Sequence, residues 1–232
     1  MWRFMAELLK AFKRITIICG YYGSGKTTFS LNLARMMDAK PLTLIDLDVV
    51  NPYFRSSDYR KELETLGVRL IAPNFAGTML DVPSLDPAIA GALENPAGRV
   101  LIDAGGDDAG ATALGCFAQS IGRQAYDLLY VINQSRPFVS EPGDAANVLR
   151  QIERVSRLKA TGLINNTHWG EGTTAALVRE SLPFATEVSR LTGLPVRCTT
   201  VAAELADSLA DLREEPAAGE ILPIELPVRT PW

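Results

Sequence analysis

The sequence predicts one α/β domain, a mainly parallel β-sheet with helices on both faces. Three observations carry this. Short apolar, β-branched runs alternate with longer stretches of helical periodicity, the rhythm of successive βαβ units. Two of those runs, Ile15-Thr16-Ile17-Ile18 and Val100-Leu101-Ile102, are apolar at nearly every position, as strands covered on both faces must be. The chain has 232 residues, 47% hydrophobic and 22% charged, which suits a single core that needs no staple.

The elements follow in order. Trp2, Met5, Leu8, Leu9 and Phe12 recur at three- and four-residue steps, predicting an amphipathic helix over 1–13. Its expected role is to pack on the domain or on a partner subunit; with Lys10, Lys13 and Arg14 beside the stripe, contact with a membrane surface is the alternative. Strands are expected at Ile15–Cys19, Leu42–Asp46, Val68–Ile71, Arg99–Asp103, Leu128–Asn133, Ala160–Asn165 and Val196–Thr199. Helices are expected at Lys26–Met37, Asp144–Leu158, Thr174–Thr192 and Ala202–Leu212, where apolar positions such as Val148, Ile152 and Val155 share a face. Asp48–Asp58 and Ala72–Pro87 read as long loops, of the kind that gather beyond the carboxyl ends of strands. Pro223, Pro227 and Pro231 mark an extended C-terminal tail. The expected division is therefore a helix over 1–13, the domain over 14–220 and the tail over 221–232.

The bulk numbers exclude several classes. A net charge of −4 does not favour broad nucleic-acid binding. Cys19, Cys116 and Cys198 are far apart, so no disulfide framework or zinc site is expected, and a reducing cytoplasm fits. No stretch approaches the ~20 apolar residues of a membrane span, and Arg3, Glu7 and Lys10 interrupt any signal-peptide core.

The most specific signal is Gly20-Tyr21-Tyr22-Gly23-Ser24-Gly25-Lys26-Thr27, a full GxxxxGK[ST] P-loop placed after a buried strand and before a helix. Such a loop turns backbone N–H groups inward around phosphate oxygens, and the next helix adds its own free N–H groups and positive dipole end. Tyr22, Gly23, Ser24 and Gly25 would form the cradle. Lys26 would bind the β- and γ-phosphates, Thr27 would ligate Mg2+ and Thr28 would reach the α-phosphate. A P-loop alone leaves the metal half-coordinated. Asp103-Ala104-Gly105-Gly106 closes another strand with the DxxG pattern, Asp103 holding Mg2+ through water and the Gly106 N–H meeting the γ-phosphate. Asp46-Leu47-Asp48 ends a third strand; Asp48 is the candidate to orient the attacking water and a metal-holding residue with Thr27 and Asp103, while Asp46 is held at the strand end.

Together the Gly25-Lys26-Thr27-Thr28, Asp46-Leu47-Asp48 and Asp103–Gly106 elements resemble the MinD/ParA/CobQ-CobB-type ATPases of the SIMIBI class of P-loop NTPases. Order and approximate spacing agree, with weaker similarity at Thr200-Val201-Ala202-Ala203. The resemblance implies an ATP- and Mg2+-dependent hydrolase, a DxxG strand beside the P-loop strand, and Asp48 at the place of the water-activating aspartate. It puts Asn165 at the place of the base-contacting asparagine. GTP-selective members carry NKxD there; Asn165-Asn166-Thr167-His168 has no carboxylate, which argues for ATP.

Many relatives carry a second lysine five positions before the P-loop lysine and form a homodimer around two ATP molecules. Tyr21 occupies that position here. Arg55, in an expected switch loop over 49–58 that would also meet a protein partner, is then the candidate replacement cation. Cys116 alone does not supply the cysteine pair of the iron–sulfur members. The functional expectation is a slow, switch-type ATPase cycling between ATP and ADP forms. The alternatives are a small-molecule kinase or ligase of the CobQ or dethiobiotin-synthetase type, and a nucleotide-binding regulator with little turnover.

Overall fold

The computed structural model describes residues 2–38, 41–48, 59–72, 87–106 and 108–225. The expected switch loop over 49–58 with Arg55, most of the Ala72–Pro87 loop and the end of the tail lie outside the described residues.

Eight strands form one sheet: β1 Ile15–Gly20, β2 Leu42–Leu47, β3 Val68–Ile71, β4 Arg99–Ala104, β5 Tyr126–Ile132, β6 Gly162–Asn165, β7 Val196–Ala202 and β8 Glu220–Ile224. Their order is β3-β2-β4-β1-β5-β6-β7-β8, and every pairing is parallel. The P-loop strand β1 therefore lies between β4, which carries the DxxG element, and β5. Chain order reverses around β1, so a crevice opens beyond its carboxyl end. All six β1 residues are buried.

Helices cover both faces. On one side lie α1 Trp2–Ala11, α2 Lys26–Met36 and α3 Arg60–Thr65, whose Leu8, Phe29, Leu31 and Leu63 join Ile18 and Leu44 in one core. On the other lie α4 Pro87–Glu94, α5 Asp108–Cys116, α6 Ala118–Gly122, α7 Pro142–Ser156 and α9 Leu182–Thr192, packed on Ile15, Ile17 and Cys19. The alternation of strand side chains sends successive β1 residues to opposite cores.

Three differences from the sequence expectation have physical causes. Thr174–Thr192 is two helices, α8 Ala175–Glu180 and α9, because Pro183 has no N–H for the helical ladder at the junction. Ala202–Leu212 is a series of 3-10 turns over Ala203–Leu205 and Asp207–Glu214 rather than an α-helix. The sheet also extends into the segment expected as a tail. Ile221, Leu222 and Ile224 are buried in β8, and Pro223 is tolerated because this strand is an edge.

The amphipathic helix at the N-terminus sits on the domain through Leu8, Leu9 and the following Phe12, all buried. Arg99 donates to the Leu9 and Phe12 carbonyls, each at 3.0 Å, closing the helix C-terminus with a cation. This part of the apolar stripe is thus spent in the core. No helix among the described residues is long and apolar enough to cross a membrane.

Candidate nucleotide-binding site

The P-loop joins β1 to α2 at the crevice. Gly25 takes left-handed backbone angles (φ 89°, ψ 22°) at the N-cap of α2, and no side chain caps the helix. A side chain at Gly25 would also run into the Asn166 amide, so glycine is required twice over. The first N–H groups of α2 are left to an anion. Lys26 and Thr27 are both buried, and Thr28 is half-buried.

The sheet register brings the carboxylates to the same place. Asp46 and Asp103 are direct neighbours across β2 and β4, and Asp103 pairs with Ile18 of β1. Asp46 accepts the Asp48 backbone N–H at 3.1 Å, which folds the loop back so that the Asp48 carboxylate lies 3.8 Å from Lys26 Nζ. Lys26 Nζ also approaches the Tyr21 carbonyl at 3.5 Å, too long for a strong bond. Burial and the adjacent Asp46 charge push the Asp103 carboxyl well above the ordinary carboxylate range, against the opposing pull of Lys26 and a hydrogen bond with Thr27. Hard oxygen donors of this kind suit a divalent magnesium ion, and Thr27, Asp48 and Asp103 are the residues that would hold it. When bound, the ion would neutralise phosphate charge and relieve the repulsion among these carboxylates.

Gly106 packs against the start of the P-loop, where a side chain would overlap the Gly20 carbonyl. The DxxG glycine is thus a steric requirement of two backbones meeting. Tyr22, within the loop, is 62% exposed.

Asn165 and Asn166 have different surroundings. Asn165 is fully buried; its amide donates to Ser181 Oγ at 2.9 Å and accepts from Thr167 Oγ1 at 2.9 Å. Asn166 faces the P-loop, donating to the Ser24 carbonyl at 2.7 Å and accepting from Thr200 Oγ1. Adjacent residues at a strand end point to opposite faces, so Asn166 touches the P-loop while Asn165 bonds Ser181. Beside Asn166 a small pocket is lined by Thr167, His168, Thr200, Val201 and Ala202, among others. Among the described residues none that lines it is a carboxylate. Burial, and then the positive charge of Arg136, push His168 down to about 4, so its ring is neutral near pH 7. Sequence reasoning passed over Asn166 and Thr200 as site residues; the Thr200-Val201-Ala202 similarity was the available signal.

Comparison with solved structures finds this architecture in the cell division protein FtsY from Thermotoga maritima, with a TM-score of 0.51 and 20% identity over 87% of this chain and 69% of that one. The signal recognition particle receptor FtsY from Elizabethkingia anophelis, solved in complex with GDP, gives a TM-score of 0.50 and 18% identity over 87% of this chain and 65% of that one. The chain spans about two thirds of the length of these structures. No family model and no curated protein matches the sequence. The all-parallel sheet, the P-loop on its central strand and these two likenesses give the chain the fold of a SIMIBI-class P-loop NTPase.

Proposed function

We propose that the chain is a Mg2+-dependent ATP hydrolase of slow turnover, acting as a nucleotide-dependent switch in the manner of MinD/ParA-like ATPases. The observation that carries this is convergence: Lys26 of the P-loop lies 3.8 Å from Asp48, Lys26 and Thr27 both act on Asp103, and Asp46 is the neighbour of Asp103 across β2 and β4. Lys26 and the α2 N–H groups bind the phosphates, Thr27 and Asp103 hold magnesium, and Asp48 orients the attacking water once phosphate has displaced it from Lys26. That exchange of partners for Lys26 gives the chain a built-in difference between its empty and ATP-bound forms.

The expected base-contacting segment favours ATP over GTP. Guanine presents N1–H and 2-amino donors that need a strong acceptor pair, and Asn165-Asn166-Thr167-His168 offers no carboxylate. A missing charged partner costs guanine about 1.5–3 kcal/mol, roughly ten- to a hundredfold in affinity. The test is phosphate release from MgATP with no second substrate, alongside competition between ATP and GTP for a fluorescent nucleotide. Turnover that appears only when a small-molecule acceptor is added would favour the kinase or ligase reading. GTP binding as tightly as ATP would overturn the base assignment.

A further inference from the structure

The order of the strands sets the direction in which a nucleotide on the P-loop must run. Asp48 and Asp103, which would hold magnesium at the terminal phosphates, come from β2 and β4, on one side of β1. The nucleoside end then leaves toward the other side, where β5, β6 and β7 follow. There the loop after β6 closes on the P-loop. Asn166 donates to the Ser24 carbonyl at 2.7 Å, and His168 Nε2 stands 3.0 Å from the place of a Cβ on Gly25. The next residue is Trp169, 68% exposed.

A single exposed apolar side chain is ordinary on a protein surface. Trp169 differs in how firmly its backbone is held. Its N–H donates to Thr173 Oγ1 at 3.0 Å, and that hydroxyl donates onward to the Gly170 carbonyl at 2.6 Å. Gly170, at φ +62°, donates its N–H to His168 Nδ1 at 3.1 Å, and the Gly172 N–H returns to the Trp169 carbonyl at 3.3 Å. The loop is thus closed on itself on both sides of the tryptophan, and Thr173 lines the pocket beside Asn166. Among the described residues the indole pairs with no other ring and no cation. Tyr22 and Phe138 are also exposed, but they belong to the P-loop and to the turn after β5, where Phe138 leans on Tyr21 with ring centroids 6.4 Å apart.

We propose that Trp169 is the base platform of this site, its indole stacking on the purine ring of the bound nucleotide. The proposal rests on the nucleotide-hydrolase reading above and names what holds the base. The pocket bounded by Asn166, Thr200 and Val201 is too small to enclose a purine, so the ring must lie across its mouth with a face left to cover. An indole matches a purine in size and flatness, and stacking removes apolar area of both from water. The loop fixes the Trp169 backbone before ligand arrives, so only side-chain torsions are ordered on binding. Stacking is indifferent to the edge of the base, so it supplies affinity while neighbouring polar groups choose between purines.

The test compares ATP, ADP and inorganic tripolyphosphate, each with magnesium, binding to the full chain by calorimetry. Tripolyphosphate fills the phosphate cradle and has no base. For Trp169→Ala we expect ATP and ADP to bind about five- to a hundredfold more weakly, with tripolyphosphate within about twofold of wild type. Trp169→Phe keeps a smaller ring and should recover part of the loss. Wild-type fluorescence should also change on ATP binding, and that change should vanish in Trp169→Phe, which leaves Trp2 and Trp232 in place. ATP affinity within about twofold of wild type in Trp169→Ala overturns the assignment. An equal loss of ATP and tripolyphosphate does so as well, since it marks a residue that only shapes the loop. A wild-type protein that binds no ATP overturns the functional reading, and this assignment with it.

Discussion

Lys26 is the residue on which the site turns. It is nearly buried, 3.8 Å from the Asp48 carboxylate and close enough to act on the Asp103 charge. We predict that Lys26→Ala lowers ATP affinity at least about a hundredfold, near 3 kcal/mol, since phosphate loses its one charge-assisted side-chain donor on the loop. Calorimetry showing near wild-type affinity would remove Lys26 from the site. His168 makes a separate prediction about pH. Its folded value of about 4 lies below the 6.5 of the free side chain, so the unfolded chain takes up a proton first as pH falls. The contribution is whole above pH 6.5 and is lost as pH falls from there through about 4, amounting to about 3 kcal/mol at most. His168 is the sole histidine, so one ring signal in an NMR titration reports it directly. A midpoint near 6.5, or the same acid sensitivity in His168→Gln, would contradict its desolvated position. At this scale the sequence marks Lys26, Thr27, Asp48 and Asp103 because each is tied to a spacing. It does not tie Arg136 to the P-loop, because that contact with Gly23 spans 113 residues of chain.

Elements were legible where their signal was periodic and long. All seven expected strands are present with ends shifted by a few residues, because buried parallel strands read as continuous apolar runs. Four short helices were missed. α3 and α6 have only six and five residues, too few for a face to repeat. α5, Asp-Ala-Gly-Ala-Thr-Ala-Leu-Gly-Cys, is built of small residues that give no amphipathic contrast, and Gly110 is needed because its position abuts the Gly105 backbone. α4 begins at Pro87, and proline at a first helical position was a usable cue inside what read as a loop. The N-terminal helix shows how a correct element leaves its role open until packing is known. Phe12 is 2% exposed in the same core as Ile18, Phe29 and Leu222, with the Arg197 guanidinium 5.4 Å from its ring. Phe12→Ala should cost about 3–5 kcal/mol in urea unfolding, the range for a buried aromatic. A loss below about 1 kcal/mol would mean that this end of the chain detaches from the domain in solution.

For the whole molecule, the sheet that creates the site also strains it. Register fixes Asp46 beside Asp103, and burial denies both the water that would screen them. The empty protein therefore carries a repulsion that its fold does not need, a conflict of the kind expected where stability yields to function. Asp103→Asn removes one charge at nearly constant shape. We predict that it raises the stability of the nucleotide-free protein by about 1 kcal/mol, roughly 2–4 °C in melting temperature for a chain of this size. The same change takes away a magnesium-holding carboxylate, so the gain from ligand should shrink. Wild-type protein with MgATP at a hundred times its dissociation constant gains about 2.7 kcal/mol by mass action. The variant should gain much less from MgATP, and its response should be little altered by EDTA. Thermal melts of both proteins, with and without MgATP and EDTA, decide the matter. A less stable empty variant would show that Asp103 is compensated in the fold and not held in conflict. A full MgATP response in the variant would place magnesium on other ligands.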